Sequence, residues 1–187
     1  MKTIALTGAT SPIGTELLNS LSNSYKVIPI SRTTGFDLLT EVGYSAALSE
    51  IVKCDYFINL ANVKTTQACL LLDVYNTWTS NNNFGKIISF GTLATEASST
   101  LLKLINADFN MIADKLFLEK VHDELSTQTP FGDQPQSCLI RFANFGKKSD
   151  SREDEPCSTP EQLCDIVKFI LSSDSYISTL DFRAIYG

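Results

Sequence analysis

Thr7-Gly8-Ala9-Thr10-Ser11-Pro12-Ile13-Gly14 follows the apolar run Thr3–Thr7 and leads into Ile13, Leu17, Leu18 and Leu21 at helical spacing. That order predicts a short buried strand, a glycine turn and an amphipathic helix. Ser11 as N-cap with Pro12 at the first helical position gives the helix a defined start. Gly8 lets the chain turn sharply, and Gly14 permits the helix to pack close to a sheet. The helix N-terminus then offers free N–H groups and the positive end of its dipole to a pyrophosphate. Pro12 carries no N–H, so one of those donors is missing.

The alternation that starts here continues along the chain. Further strands are expected at 25–30, 56–60, 86–90, 137–142 and 180–185. Helices are expected over roughly 42–52, 65–79, 101–125 and 161–171, the last behind Thr159-Pro160. Strands alternating with helices predict an α/β fold: a three-layer parallel sheet with helices on both faces. The polar stretches 127–136 and 147–159 are too short to separate domains, so residues 1–187 are read as one domain.

Composition narrows the function. Of 187 residues, 43% are hydrophobic, enough for a packed core, and 19% are charged, too few for a disordered chain. Fifteen basic residues against 21 acidic ones give a net charge of −6. Nucleic acid and anionic membrane surfaces are therefore excluded as main partners, although one local phosphate pocket is compatible. No apolar run approaches the ~20 residues a membrane helix needs. The N-terminus enters a strand at once without a signal-peptide layout. The chain reads as soluble and cytoplasmic. With one histidine and five cysteines there is little material for a metal site, and none is expected. Cys54, Cys69 and Cys138 sit in or beside apolar runs as small hydrophobes; Cys157 and Cys164 flank a helix start.

The stretch 7–14 resembles the cofactor turn of the short-chain dehydrogenase/reductase superfamily, whose members have a Rossmann-like fold. The family's middle glycine falls here on Ser11 or Pro12. The resemblance implies a nicotinamide dinucleotide bound along Gly8, Thr10, Ser11, Pro12, Ile13 and Gly14. Members that use NAD carry an acidic residue after the second strand; here Ser31-Arg32 stands there. A guanidinium and a hydroxyl suit a 2′-phosphate, which implies NADP(H) over NAD(H). Asp37-Leu38 takes the place of the acidic-apolar pair that faces the adenine. Residues 57–62, Phe-Ile-Asn-Leu-Ala-Asn, resemble the family's Asn-Leu-Ala-Gly segment and would set Leu60, Ala61 and Asn62 beside a cofactor ribose.

The same resemblance locates a reaction centre. Residues 86–92 match the strand that ends in a Ser or Thr able to polarise a carbonyl, which puts Thr92 in that role. Residues 111–120 resemble the Tyr-x-x-Ser-Lys helix, with Lys115 at the lysine that bonds the nicotinamide ribose. Positions 111 and 115 share a helical face and would point at one cleft. The tyrosine position is Met111, however, and a thioether transfers no proton. Asp108 and Asp114 are near in sequence but off that face, and His122 reads as a surface or helix-bundle residue. Residues 139–146 resemble a segment of the nucleotide-sugar reductase, epimerase and dehydratase branch, yet little chain follows to enclose a substrate. A substrate would rest near 92–100, Met111 and 143–148. Relatives commonly dimerise through helices flanking this region, and the apolar 101–125 stretch is compatible with a homodimer. Three readings remain open. One is an NADP(H)-dependent enzyme acting on a small-molecule or nucleotide-sugar-like carbonyl. Another is a dinucleotide-binding sensor or partner subunit without catalysis. The third is a structural relic of the fold with no bound cofactor.

Overall fold

In the computed structural model, residues 1–98, 108–128, 134–142 and 159–182 are described. Six strands form one parallel sheet: β1 (Thr3–Thr7), β2 (Lys26–Ile30), β3 (Tyr56–Asn59), β4 (Lys86–Thr92), β5 (Gln136–Phe142) and β6 (Thr179–Phe182), in the order β2-β1-β3-β4-β5-β6. The described helices are α1 (Pro12–Leu21), α2 (Glu41–Ile51), α3 (Thr66–Ser80), α4 (Phe109–Ser126) and α5 (Pro160–Ser172). Helices cover both sheet faces, as the alternation predicts.

Alternate residues of the central strands supply the two cores. Ile4, Leu6, Ile58, Ile88 and Phe90 pack against α1 and α5, whereas Ala5, Phe57, Ile87 and Leu139 pack against α2, α3 and α4. All four residues of β3 are buried, as a strand covered on both faces requires. Trp78 of α3 is fully buried and its indole N–H donates to the Val52 carbonyl at 3.2 Å. Burying one such large apolar side chain stabilises the fold by about 1.5–3 kcal/mol.

Helix starts follow their caps. The Ser11 hydroxyl accepts from the Gly14 amide, and the Thr159 hydroxyl from Gln162, whose side chain reciprocates. At the start of α4, the Asp108 carboxylate accepts from the Asn110 and Met111 amides. Asp108 is thereby a cap, which accounts for its position off the Met111 face.

Two differences from expectation bear on the cleft, beside shifts of a residue at other element ends. β4 runs through Gly91 to Thr92 instead of ending at Phe90, because Gly91 makes room for neighbouring side chains. A Cβ there would meet Arg141 at 3.2 Å and Leu139 at 3.3 Å. The polar turn after β2 holds a 3-10 turn, Arg32–Thr34. The first part of the 101–125 helix and the end of the last strand lie outside the described residues, as does Cys157. Cys54, Cys138 and Cys164 are buried; Cys69, expected beside the core, is exposed because it faces away from it on α3.

β2 is an edge strand, with Pro29 in its ladder opposite Leu6. The Lys26 amide donates to the Lys2 carbonyl, so alternation turns the amides of residues 28 and 30 toward β1 and position 29 outward. Proline is tolerated there because no inward donor is lost.

Candidate functional site

The site grows from the C-terminal ends of β1 and β3. Thr7 is fully buried, and its hydroxyl accepts from the Leu60 amide at 3.0 Å and the Ala61 amide at 3.2 Å while donating to the Ile58 carbonyl. This pins the loop after β3 against the turn after β1. Gly8, at φ +70°, donates to the Ile30 carbonyl; a Cβ on it would meet the Ala61 amide nitrogen at 3.1 Å. A Cβ on Gly14 would lie 2.1 Å from the Gly8 carbonyl oxygen. Both glycines are thus required, Gly8 by conformation and Gly14 by contact.

Fewer helix donors are free than the sequence implies. Ser11 donates its amide to the Gly8 carbonyl, the Gly14 amide is taken by the Ser11 hydroxyl, and Pro12 has none. The Ile13 amide is the first-turn donor left at the cleft that Ile13 lines. Pro12 and buried Gly14 shape the turn without lining the cleft.

Two cavities meet at this turn, sharing Gly8, Thr10, Arg32, Ala61 and Asn62. The first, about 350 Å³, lies toward β2 and is lined further by Ile30, Phe36, Asp37, Leu38 and Val63. The second, about 590 Å³, runs over the ends of β4 and β5 and is lined by Ser11, Ile13, Leu60, Phe90, Thr92, Met111 and Lys115, with Phe142. Together they form one elongated cleft across the sheet's C-terminal edge, where open parallel sheets bind ligands.

In the first cavity Arg32 is exposed, and no carboxylate among the described residues pairs with it. The Ser31 hydroxyl, expected beside a phosphate, instead bonds the Thr33 and Thr34 hydroxyls and caps the 3-10 turn. The cations lining this end are Arg32 and Lys64. Asp37 turns one carboxylate oxygen to the Leu39 amide, and buried Leu38 supplies an apolar wall.

The second cavity brings together Thr92, Met111 and Lys115. The Thr92 hydroxyl donates to the Phe142 carbonyl at 3.4 Å and accepts from the Ala94 amide at 3.3 Å. Both contacts are long, so little holds the hydroxyl away from a ligand. Lys115 is only 7% exposed, not a solvated helix lysine. Its ammonium donates to Gln67 Oε1 at 2.6 Å and the Phe90 carbonyl at 2.8 Å, and burial pushes its pKa down to about 8.

Gln67, which the sequence reading passed over, ties this end together. Its amide nitrogen donates to the Asn59 carbonyl at 2.7 Å, while Asn59 Nδ2 returns a bond to the Gln67 carbonyl at 2.8 Å. The pair closes the loop that lines both cavities. Asn59 Oδ1 and the Ser89 hydroxyl, at register positions on β3 and β4, are buried with no hydrogen-bond partner among the described residues.

Beyond Thr92 the floor is an ion-pair cluster. Arg141 makes a bidentate contact with Asp181 at 2.7 and 2.8 Å and pairs with Glu96 at 2.8 Å, while Glu119 accepts from Thr95. Burial pushes the Glu119 carboxyl upward. Arg141 is thus committed to carboxylates. His122, expected at a surface or in a bundle, is fully buried away from the cleft between Ser137 and Thr179. The expected substrate contacts at 99, 100 and 143–148 lie outside the described residues.

No helix among the described residues is long and apolar enough to cross a membrane. Neither the protein-family models nor the curated proteins match the sequence. Solved structures do resemble it. A 4-hydroxyisoleucine dehydrogenase complexed with NADH superposes with TM-score 0.79 at 13% identity, over 98% of this chain and 97% of that one. An alcohol dehydrogenase from the archaeon Thermococcus sibiricus, complexed with 5-hydroxy-NADP, gives 0.78 at 11% identity over 100% and 98%. UDP-N-acetylglucosamine 4-epimerase from Bacillus cereus gives 0.69 at 17% identity over 100% and 80%. At such identities the likeness establishes the fold, a Rossmann-like sheet of the kind found in short-chain dehydrogenases.

Proposed function

We propose that this chain binds NADP(H) along the cleft as one nucleotide-binding domain and reduces the carbonyl of a small molecule, of nucleotide-sugar type or simpler. The continuity of the cleft carries this reading: it joins an unpaired arginine, a glycine turn at a helix N-terminus, and a hydroxyl and an ammonium at its far end. The residues fit the cofactor in shape. Glycine at 8 and 14 lets the turn stay compact at the helix N-terminus, since Cβ atoms there would strike the Ala61 backbone and the Gly8 carbonyl. Ile30, Phe36, Leu38 and Val63 supply apolar walls beside Arg32 against which an adenine would pack. Arg32 would pair with the 2′-phosphate, Ile13 N–H with the pyrophosphate and Asn62 with a ribose. The solved relatives bound to NADH and to an NADP derivative support a nicotinamide dinucleotide at this place. Phe109, Leu116 and Phe117 on α4 and Leu72 on α3 are exposed, and pairing of two copies through them is part of the proposal.

Fluorescence titration with NADPH and NADH tests the binding. NADPH should bind more tightly, and Arg32→Ala should weaken it by about 10- to 100-fold, the worth of one charge-assisted contact, while sparing NADH. Equal affinities that ignore the substitution would overturn the NADP(H) assignment. A second reading, a nucleotide sensor without chemistry, is favoured by Met111 in the reaction end.

A further inference from the structure

Met111 poses a question of proton supply that the lining residues answer. Of the described residues lining the larger cavity, two carry titratable groups, Arg32 and Lys115. Guanidinium stays protonated at any pH a protein survives, so it donates hydrogen bonds but not protons. Lys115 differs. Its ammonium is held by two neutral acceptors, Gln67 Oε1 and the Phe90 carbonyl, and an ammonium has three N–H bonds. Two hold it in place and one is uncommitted by them. Its helix sets it one turn from Met111, on the lining that also carries Thr92.

We propose that Lys115 is the proton donor of this cleft, protonating the oxygen of a carbonyl substrate as hydride reaches its carbon. The proposal rests on the nucleotide-binding reading above, because the dihydronicotinamide supplies the hydride. A C–H bond forms at the carbonyl carbon as the C=O π pair moves onto oxygen. The Lys115 N–H bond breaks, its proton forms the O–H of the alcohol, and the neutral amine regains a proton from water in the open cleft. Thr92, whose hydroxyl bonds are long, turns to the same oxygen and orients it.

The surroundings favour release of that proton. No carboxylate among the described residues hydrogen-bonds the ammonium. The charges that face it are Asp114 and Glu119 on its own helix, with Arg141 of β5 beyond Glu119; the contacts from α3 and β4 are neutral. Burial outweighs the two carboxylates and leaves the group titrating near neutrality, where an acid is most effective. Gln67 is the positioning residue: it fixes the ammonium without neutralising it.

Three measurements on the full chain test this. Lys115 is titrated in the wild-type protein without nucleotide, by NMR of ¹³C-dimethylated lysines assigned with Lys115→Arg. A midpoint near 8 is expected; one above 10 would overturn the proposal. NADPH binding is then followed by fluorescence in wild type, Lys115→Arg and Lys115→Met, with circular dichroism to confirm folding. Finally, single-turnover oxidation of bound NADPH is followed with a panel of aldehydes, ketones and keto-sugars across pH. Wild type should transfer hydride with a rate that falls above pH 8. Lys115→Arg should still bind NADPH, yet transfer ~10²- to 10⁴-fold more slowly, the usual worth of a positioned acid. Undiminished transfer in Lys115→Arg or Lys115→Met, or no transfer by wild type to any carbonyl, overturns the proton-donor role and leaves nucleotide binding intact. Absence of saturable binding of NADPH and NADH to wild type overturns both.

Discussion

Lys115 and His122 lie two turns apart on one face of α4, both buried and both with pKa values pushed down by burial, to about 8 and about 4. Their surroundings separate them. His122 Nδ1 lies 2.8 Å from the Ser137 hydroxyl and Nε2 lies 3.2 Å from that of Thr179, so the neutral ring has a partner at each nitrogen, and it lines neither cavity of the cleft. Lys115 is a cation hydrogen-bonded to neutral groups at the wall of a cavity, with Asp114 and Glu119 the nearest charges. Desolvating an ammonium that no carboxylate hydrogen-bonds among the described residues costs stability, whereas a satisfied neutral imidazole costs little. One half of the helix therefore secures the fold, and the other bears a cost that the proposed proton-donor role would explain. A lowered pKa by itself does not distinguish the two; the cavity does.

Substitutions should break the pair apart. His122→Ala leaves a void and strands two buried hydroxyls, so it should lose about 3–4 kcal/mol in urea unfolding and leave nucleotide binding unchanged. Lys115→Met should be neutral or slightly stabilising at pH 7, because it removes a buried charge. Equal destabilisation by both would erase the contrast.

The pH axis separates them next. Between pH 6.5 and about 4 the unfolded chain binds a proton on His122 that the native state refuses. Stability contributed by the neutral ring is full above 6.5 and falls with pH by up to about 3 kcal/mol. For Lys115 the folded pKa again lies below the unfolded one. Its contribution is full above pH 10.5 and is lost as pH falls through about 8, so this group makes stability rise with pH in that window. Cys138, whose thiol burial pushes up to about 12, acts in the opposite direction there. The Lys115 limb is accordingly read as the difference between wild type and Lys115→Met, and parallel curves would refute it. The smallest effect belongs to Ser137→Ala, which removes one partner of the ring and should cost about 1 kcal/mol.

The difference between these two residues was only half legible in sequence. The strand and helix order, the Ser11-Pro12 start and the shared face of Met111 and Lys115 follow from local chemistry, and the structure has them. Gln67 and Thr7 were not legible. A glutamine in a first helical turn and a threonine ending an apolar strand are unremarkable until the sheet brings Asn59, Phe90 and Lys115 to one and the Leu60 and Ala61 amides to the other. At Ser31 the local cap that engages the hydroxyl was not legible either, because its partners Thr33 and Thr34 read as turn residues. His122 was misplaced because its partners come from β5 and β6, far along the chain.

Pro29 bears on how copies of this chain can meet. Along the outward side of β2 the proline position gives no N–H, which leaves Val27 as the amide donor of that rim within the strand. A second molecule trying to lengthen the sheet would find a broken row of bonds, so edge-to-edge growth into dimers or fibrils is closed off on this side. Association along this rim then has to use side-chain surfaces, which can be soluble and reversible where a continuous β-ladder would not be.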